Sequence, residues 1–75
     1  MQATIRLTPQ TVKDFVRITS KCDFDIDIAG NNRYVVDAKS ILGVLGLNLN
    51  RPVTVTWHGY DPELECFVKS HAMAC

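Results

Sequence analysis

The chain of 75 residues contains eight basic and eight acidic residues, so its formal net charge is zero. Its hydrophobic share of 47% is typical of a globular protein and excludes wholesale disorder. Because there is no basic excess, the composition predicts binding neither to nucleic acid nor to an anionic membrane. The length predicts one domain, residues 1–75, with a thin margin of stability.

The compartment is predicted from what the chain lacks. No apolar run approaches the roughly 20 residues that span a bilayer, and the segment from Met1 to Thr8 is too short and polar for a signal peptide. Cys22, Cys66 and Cys75 have no metal-binding spacing, and their odd number argues against a disulfide framework. We expect a cytoplasmic protein without metal or cofactor, in which Cys22 and Cys66 are small hydrophobic residues and Cys75 a terminal thiol.

The first two predicted elements are a strand and a helix. Residues 3–7 alternate apolar and polar side chains, which is typical of a half-buried strand. Thr8 can cap a following helix and Pro9 suits its first position. Val12 begins an apolar face, and the helix is expected to run from Pro9 to about Lys21.

A hairpin is predicted next. Its first strand, residues 23–28, alternates aspartate with apolar side chains: Asp23, Phe24, Asp25, Ile26, Asp27 and Ile28. Residues 30–32 supply a turn, and residues 33–36 a return strand. The three aspartates are interpreted as a solvated strand face, because the hydrophobic alternation contradicts a calcium-binding loop.

The second predicted helix is short and unusually apolar. Asp37 is expected to cap it, which would place Ser40 in its first turn, and Gly46 is expected to end it. The apolar side chains of residues 41–47 are distributed around nearly the whole circumference of the predicted helix. A small domain cannot bury every side of such a helix, so the pattern indicates a binding patch.

The chain closes with a strand and a helix. Residues 52–57 alternate as a fourth strand, then Asp61 and Pro62 begin a helix that ends near His71. His58, after the strand, and His71, in an expected frayed tail, are both interpreted as ordinary surface histidines. The order β-α-β-β-α-β-α predicts an α+β fold, a single sheet with helices on one face.

No sequence motif indicates catalysis. The chain contains no nucleophile elbow, phosphate-binding glycine loop or paired-carboxylate motif, so we do not expect an enzyme. Ser40 is a candidate phosphorylation site, because a phosphate near the positive end of a helix dipole is well tolerated. Serine is also common in the first turn, and the residue chemistry alone favours that ordinary role.

Residues 36–47 resemble a known signature. The step from Asp37 through Lys39 to Ser40, opening a helix rich in Ile and Leu, is similar to the second helix of HPr, the histidine-containing phosphocarrier of the sugar phosphotransferase system. Weaker similarity extends from about Val12 to Asp61. The resemblance implies the open-faced β-sandwich of that family, with four antiparallel strands and three helices on one face.

One family feature is missing. The family's phosphoryl acceptor is a histidine, flanked by glycine, alanine, arginine and proline, before the first helix. Here residues 7–11 read Leu-Thr-Pro-Gln-Thr, with Thr8 roughly where that histidine would lie. A threonine phosphoester is far less labile than a phosphoimidazole, so the departure implies that histidine phosphotransfer is lost.

The resemblance also implies roles for individual residues. Ser40 matches the serine that HPr kinase/phosphorylase modifies. Ile41, Leu42 and Leu45 match the apolar patch that docks on Enzyme I, on the kinase and on the catabolite-control transcription factor, and Lys39 lies beside them. We therefore predict a regulatory protein-binding module.

Two alternatives remain open at the level of sequence. One is a phosphocarrier with an unusual acceptor such as His58. The other is a constitutive protein-interaction domain unrelated to the phosphotransferase system. An exposed apolar patch on a thin core also allows a homodimer.

Overall fold

The computed structural model describes residues 1–30 and 34–72. Their elements follow the order β-α-β-β-α-β-α, as predicted. The strands are β1 (Gln2–Ile5), β2 (Ile26–Ala29), β3 (Val35–Asp37) and β4 (Val53–Trp57), and the helices are α1 (Pro9–Lys21), α2 (Ile41–Leu45) and α3 (Pro62–His71). The predicted turn at residues 31–32 and Arg33 lie outside the described residues.

The two long helices begin where their sequences predict. Thr8 caps α1, accepting a hydrogen bond from the backbone N–H of Thr11, and Pro9 occupies the first turn. Asp61 caps α3 in the same way through the N–H of Leu64. Each cap satisfies a backbone donor that the first turn of a helix leaves free.

The strand boundaries differ from the predicted ones. β1 starts and ends earlier than residues 3–7, and β2 begins only at Ile26, so Phe24 lies outside the strand. The ring of Phe24 instead covers the backbone at Gly59, where an added Cβ would lie 2.2 Å from a ring carbon. This close contact connects the segment that precedes β2 with the turn that precedes α3.

The four strands form one antiparallel sheet in the order β1-β4-β2-β3. In the register, Ile5 lies opposite Val53, Ile28 opposite Val55, and Ile26 opposite Trp57. All these side chains are buried on one face, where the helices cover them. The fully buried centre of the core combines both layers: Ile5, Leu7, Val12, Phe15, Ile26, Ile28, Val44, Val53, Val55 and Leu64.

The opposite face of the sheet is open and polar. Thr4 and Thr54 pair there across β1 and β4, and Thr56 lies opposite Asp27. Asp27 also lies directly opposite Asp37 on β3, and both are exposed. The fold is therefore the open-faced α+β sandwich that the sequence predicts. Among the described residues, no helix has both the length and the apolar character needed to cross a membrane.

Candidate functional site

The turn before α2 corrects one prediction. Asp37 does not cap the helix: its Oδ1 accepts a hydrogen bond from the N–H of Lys39 at 2.9 Å, and its carbonyl accepts one from the N–H of Ser40 at 3.0 Å. A carboxylate that bonds the backbone two residues on stabilises a turn. The chain therefore turns once more before the helix starts, and α2 begins at Ile41.

Ser40 is the cap of α2 rather than a first-turn residue. Its backbone is extended, with φ −98° and ψ 109°, and its Oγ accepts a hydrogen bond from the N–H of Gly43 at 3.2 Å. Its carbonyl accepts from the N–H of Val44 at 2.9 Å. The residue is exposed, so the same hydroxyl that starts the helix is open to solvent.

Two hydrogen bonds, one with α1 and one with its C-cap, hold this turn in place. The fully buried Thr19 donates its hydroxyl to the carbonyl of Ala38 at 2.8 Å. Lys39 donates from Nζ to the carbonyl of Cys22, the C-cap of α1, at 2.9 Å. A cation at a helix C-terminus is favourable, because the free carbonyls there carry partial negative charge. The ammonium group of Lys39, predicted to contact a partner, already contacts α1.

α2 presents an apolar surface, which we call the α2 patch: Ile41, Leu42 and Leu45. Leu42 is 81% exposed, and the other two are 40% and 44% exposed. The opposite side of the helix is buried through Val44. Large apolar side chains clustered on one exposed face are typical of an interaction surface.

A pocket of about 440 Å³ opens beside the patch. Residues 6–9 from the β1–α1 connection form one side, and Leu45 with residues 47–50 forms the other. Leu45 belongs to both the α2 patch and the pocket, so the two form one surface. The sequence does not predict this pocket, because no local pattern indicates that segments so far apart in the chain meet.

Thr8 lies at the edge of this pocket, and its polar atoms are engaged. Its N–H donates to Oγ1 of Thr11 at 2.8 Å, and its own Oγ1 accepts from the N–H of Thr11 at 3.3 Å. This reciprocal arrangement is a capping box. The hydroxyl therefore has a structural function at the start of α1.

The surroundings of His58 agree with the prediction, whereas those of His71 do not. His58 is exposed just after β4, as expected. His71 is not in a frayed tail but ends α3, with Nδ1 2.9 Å from the carbonyl oxygen of Phe67 and its ring stacked on the Phe67 ring at 4.0 Å. The carbonyl of His71 accepts from the N–H of Arg6 at 3.1 Å, which joins the end of α3 to the end of β1.

The two described cysteines differ in burial. Cys22 is buried, as predicted, and the pKa of its thiol is raised, chiefly by burial and next by the charge of Asp61. Cys66 is exposed on α3, so its assignment as a small hydrophobic residue was wrong. Cys75 lies outside the described residues. Within residues 1–30 and 34–72, no group of three or more His, Cys, Asp or Glu side chains is arranged to hold a metal ion.

Solved structures share this architecture. A crystal structure described as HPr-C-His from Thermoanaerobacter tengcongensis is 25% identical to the chain, with a TM-score of 0.71 over 93% of this chain and 92% of that one. A phosphocarrier protein HPr from Bacillus anthracis is 23% identical, with a TM-score of 0.72 over 95% of each chain. No family model matches the sequence, and no curated protein matches it either.

Proposed function

We propose that this chain, whose fold is HPr-like, is a regulatory protein-binding module related to the phosphocarrier of the phosphotransferase system. In this proposal the α2 patch docks on a partner protein, and phosphorylation of Ser40 regulates the docking. The partners proposed from the resemblance are HPr kinase/phosphorylase, an Enzyme I-like protein or a catabolite-control regulator in a bacterial cytoplasm. The observation that carries the proposal is the 81% exposure of Leu42, the most exposed residue of the patch.

The α2 patch has the properties of a preformed binding surface. A leucine side chain that becomes fully buried on binding contributes about 1.5–3 kcal/mol of transfer free energy. α2 has only five residues, but Ser40 caps it and Thr19 and Lys39 fix the turn before it. A partner would therefore lose little free energy to ordering this helix.

Ser40 is placed where a phosphate would change docking directly. A phosphoryl group on its Oγ would add a charge of roughly −2 at the start of α2, where the helix dipole favours it. The phosphate oxygens could still accept the hydrogen bond from Gly43. The new charge would lie next to Ile41 and Leu42 in the chain, so it would oppose an acidic or purely apolar partner and attract a basic one.

Loss of histidine phosphotransfer is part of the proposal. Thr8 caps α1 at the position that the resemblance assigns to the phosphoryl acceptor, and its hydroxyl is held in the capping box with Thr11. A phosphate on Thr8 would break that box and would form a stable ester. The engagement of the Thr8 hydroxyl in the cap and the stability of a threonine phosphoester both support a binding role over a carrier role.

The docking proposal is tested with Leu42→Ser, measured by calorimetric titration against purified Enzyme I and HPr kinase. We expect at least a tenfold loss of affinity for the true partner. The matched control is Tyr60→Ser, which removes another large exposed side chain, 74% exposed, before α3. Equal affinities of the two variants would exclude the α2 patch as the docking surface.

The regulatory proposal is tested by incubating the chain with ATP and HPr kinase, and separately with phosphoenolpyruvate and Enzyme I. Intact-mass spectrometry should find one phosphoryl group from ATP only, absent from Ser40→Ala. The structural control is Ser40→Asp, which keeps a side-chain oxygen for the cap. A phosphoryl group from phosphoenolpyruvate on His58 or His71 would instead establish a carrier with an unusual acceptor.

A further inference from the structure

The zero net charge conceals an uneven distribution of charge along the chain. All eight acidic residues lie in residues 14–37 and 61–65. Residues 1–13 and 38–60 contain no acidic residue, and their basic residues are Arg6, Lys13, Lys39 and Arg51. The α2 patch and all the described residues that line the pocket come from these two acid-free segments.

The pocket itself combines aliphatic walls with one cation. Leucine and proline side chains contribute from both sides, including Leu7, Pro9 and Leu45. Among the described residues of the lining, Arg6 is the only charged one. No described carboxylate lies within 4 Å of its guanidinium, since both ion pairs of the described residues are made by Arg17, with Asp14 and Glu63. Asn50 adds an amide, whose donors can bind an oxygen anion.

We propose that this pocket binds an acidic segment of the partner protein, with an aliphatic side chain against the leucines and a neighbouring carboxylate on Arg6. The inference rests on the proposed function and adds the chemistry of the partner. A guanidinium binds a carboxylate through two parallel hydrogen bonds, which fixes orientation as well as charge. The acid-free segments around the pocket would attract the same segment at longer range.

A protein segment fits the lining better than a nucleic acid does. Single-stranded nucleic acids are held by aromatic side chains on which bases stack, together with a track of several cations. The lining residues that the structure describes include neither Phe, Tyr nor Trp, and they include a single cation. The aliphatic walls suit a leucine-like side chain, whose burial supplies the favourable free energy.

The test compares two peptides of nearly equal shape, acetyl-Asp-Leu-Glu-amide and acetyl-Asn-Leu-Gln-amide. Each is titrated into the ¹⁵N-labelled full chain at low salt while amide chemical shifts are followed. We expect the acidic peptide to shift Leu7, Leu45 and Leu49, with an affinity about fivefold or more above that of the neutral peptide. The difference should shrink at high salt, because the added ions screen charge.

Two variants separate charge at the pocket from charge elsewhere. Arg6→Gln should abolish the preference for the acidic peptide while leaving the backbone bond from its N–H to His71 in place. Lys21→Gln removes an exposed cation at the far end of α1, about 18 Å along the helix, and should leave the preference unchanged.

Several results would overturn the inference. These are equal affinity for the two peptides, no shift with the acidic peptide, shifts confined to other residues, or stronger binding of a hexathymidine oligonucleotide at the same residues. None of them affects the proposed function, which is decided by the Leu42→Ser titration with whole partner proteins. If Leu42→Ser did not weaken binding to the partner proteins but the acidic peptide still bound preferentially, the pocket would be a peptide-binding site independent of the α2 patch.

Discussion

At the scale of single residues, the ring of Phe24 leaves no room for a side chain at Gly59. A Cβ at this position would lie 2.2–2.6 Å from atoms of the Phe24 ring, well inside van der Waals contact. Gly59→Ala should therefore displace the ring from the half-buried place it occupies against the core. We expect a loss of about 1–3 kcal/mol in the free energy of unfolding, measured by urea titration.

Gly46→Ala is the matched control. A Cβ there would meet nothing closer than 3.4 Å, and its φ of −75° suits any residue. The free energy of unfolding should stay unchanged or rise by up to about 1 kcal/mol, since alanine reduces the freedom of the unfolded chain. Similar losses in both variants would show that the Phe24 contact contributes nothing.

Cys22 and Cys66 differ in burial and should differ in reactivity. In a Cys75→Ser background at pH 8, Cys66 should react with a thiol reagent at once, and Cys22 only at the rate at which the chain opens. Because folding raises the pKa of Cys22 above its usual value of 9.0, the unfolded chain ionises first. The contribution of Cys22 to the free energy of unfolding should therefore be constant below about pH 8 and fall as the pH rises above 9. Two equally fast thiols would contradict this placement.

At the scale of elements, the start of α2 depends on α1. The sequence places a cap at Asp37 with good reason, since aspartate is a favoured cap. The structure uses Ser40 instead, because Asp37 bonds the N–H of Lys39 and α1 holds the turn through Thr19 and Lys39. The two contacts with α1 join residues 19 and 17 positions apart, which no local pattern in the sequence indicates.

Thr19→Val tests that dependence. The variant leaves the buried carbonyl of Ala38 without its hydroxyl donor, which should cost about 1–3 kcal/mol and speed hydrogen exchange at the N–H of Gly43. The same substitution at Thr56, on the open face of β4, should change the free energy of unfolding by less than about 0.5 kcal/mol. Unchanged exchange at Gly43 in Thr19→Val would show that α2 forms independently of α1.

The open face of the sheet contains an unfavourable pair. Asp27 and Asp37 lie directly opposite on β2 and β3, and like charges in that position destabilise a sheet. Asp27→Thr, which continues the threonine surface of β4, should raise the free energy of unfolding by about 0.2–1 kcal/mol at low salt. The gain should shrink in 0.5 M NaCl, and a gain independent of salt would point to strand propensity instead.

At the scale of the whole molecule, the fold was easier to predict than the site. Caps at Thr8 and Asp61 and the alternation of β4 are local signals, and they predicted the starts of α1 and α3 and the fourth strand correctly. The pocket forms between residues 6–9 on one side and Leu45 with residues 47–50 on the other, and only the folded chain brings these segments together. The ordered position of His71 likewise depends on its contact with Arg6.

The separation of charges has a consequence for how this protein moves and purifies. Because the α2 patch and the described pocket lining come from acid-free segments that hold four of the eight basic residues, we expect the neutral molecule to have a permanent electric dipole. Near its isoelectric point of about 6.7, the protein should be retained at low salt by both kinds of ion-exchange resin. Its basic surface would bind to a cation exchanger and its acidic surface to an anion exchanger. In solution the same dipole would turn the molecule toward a charged neighbour before the two surfaces touch.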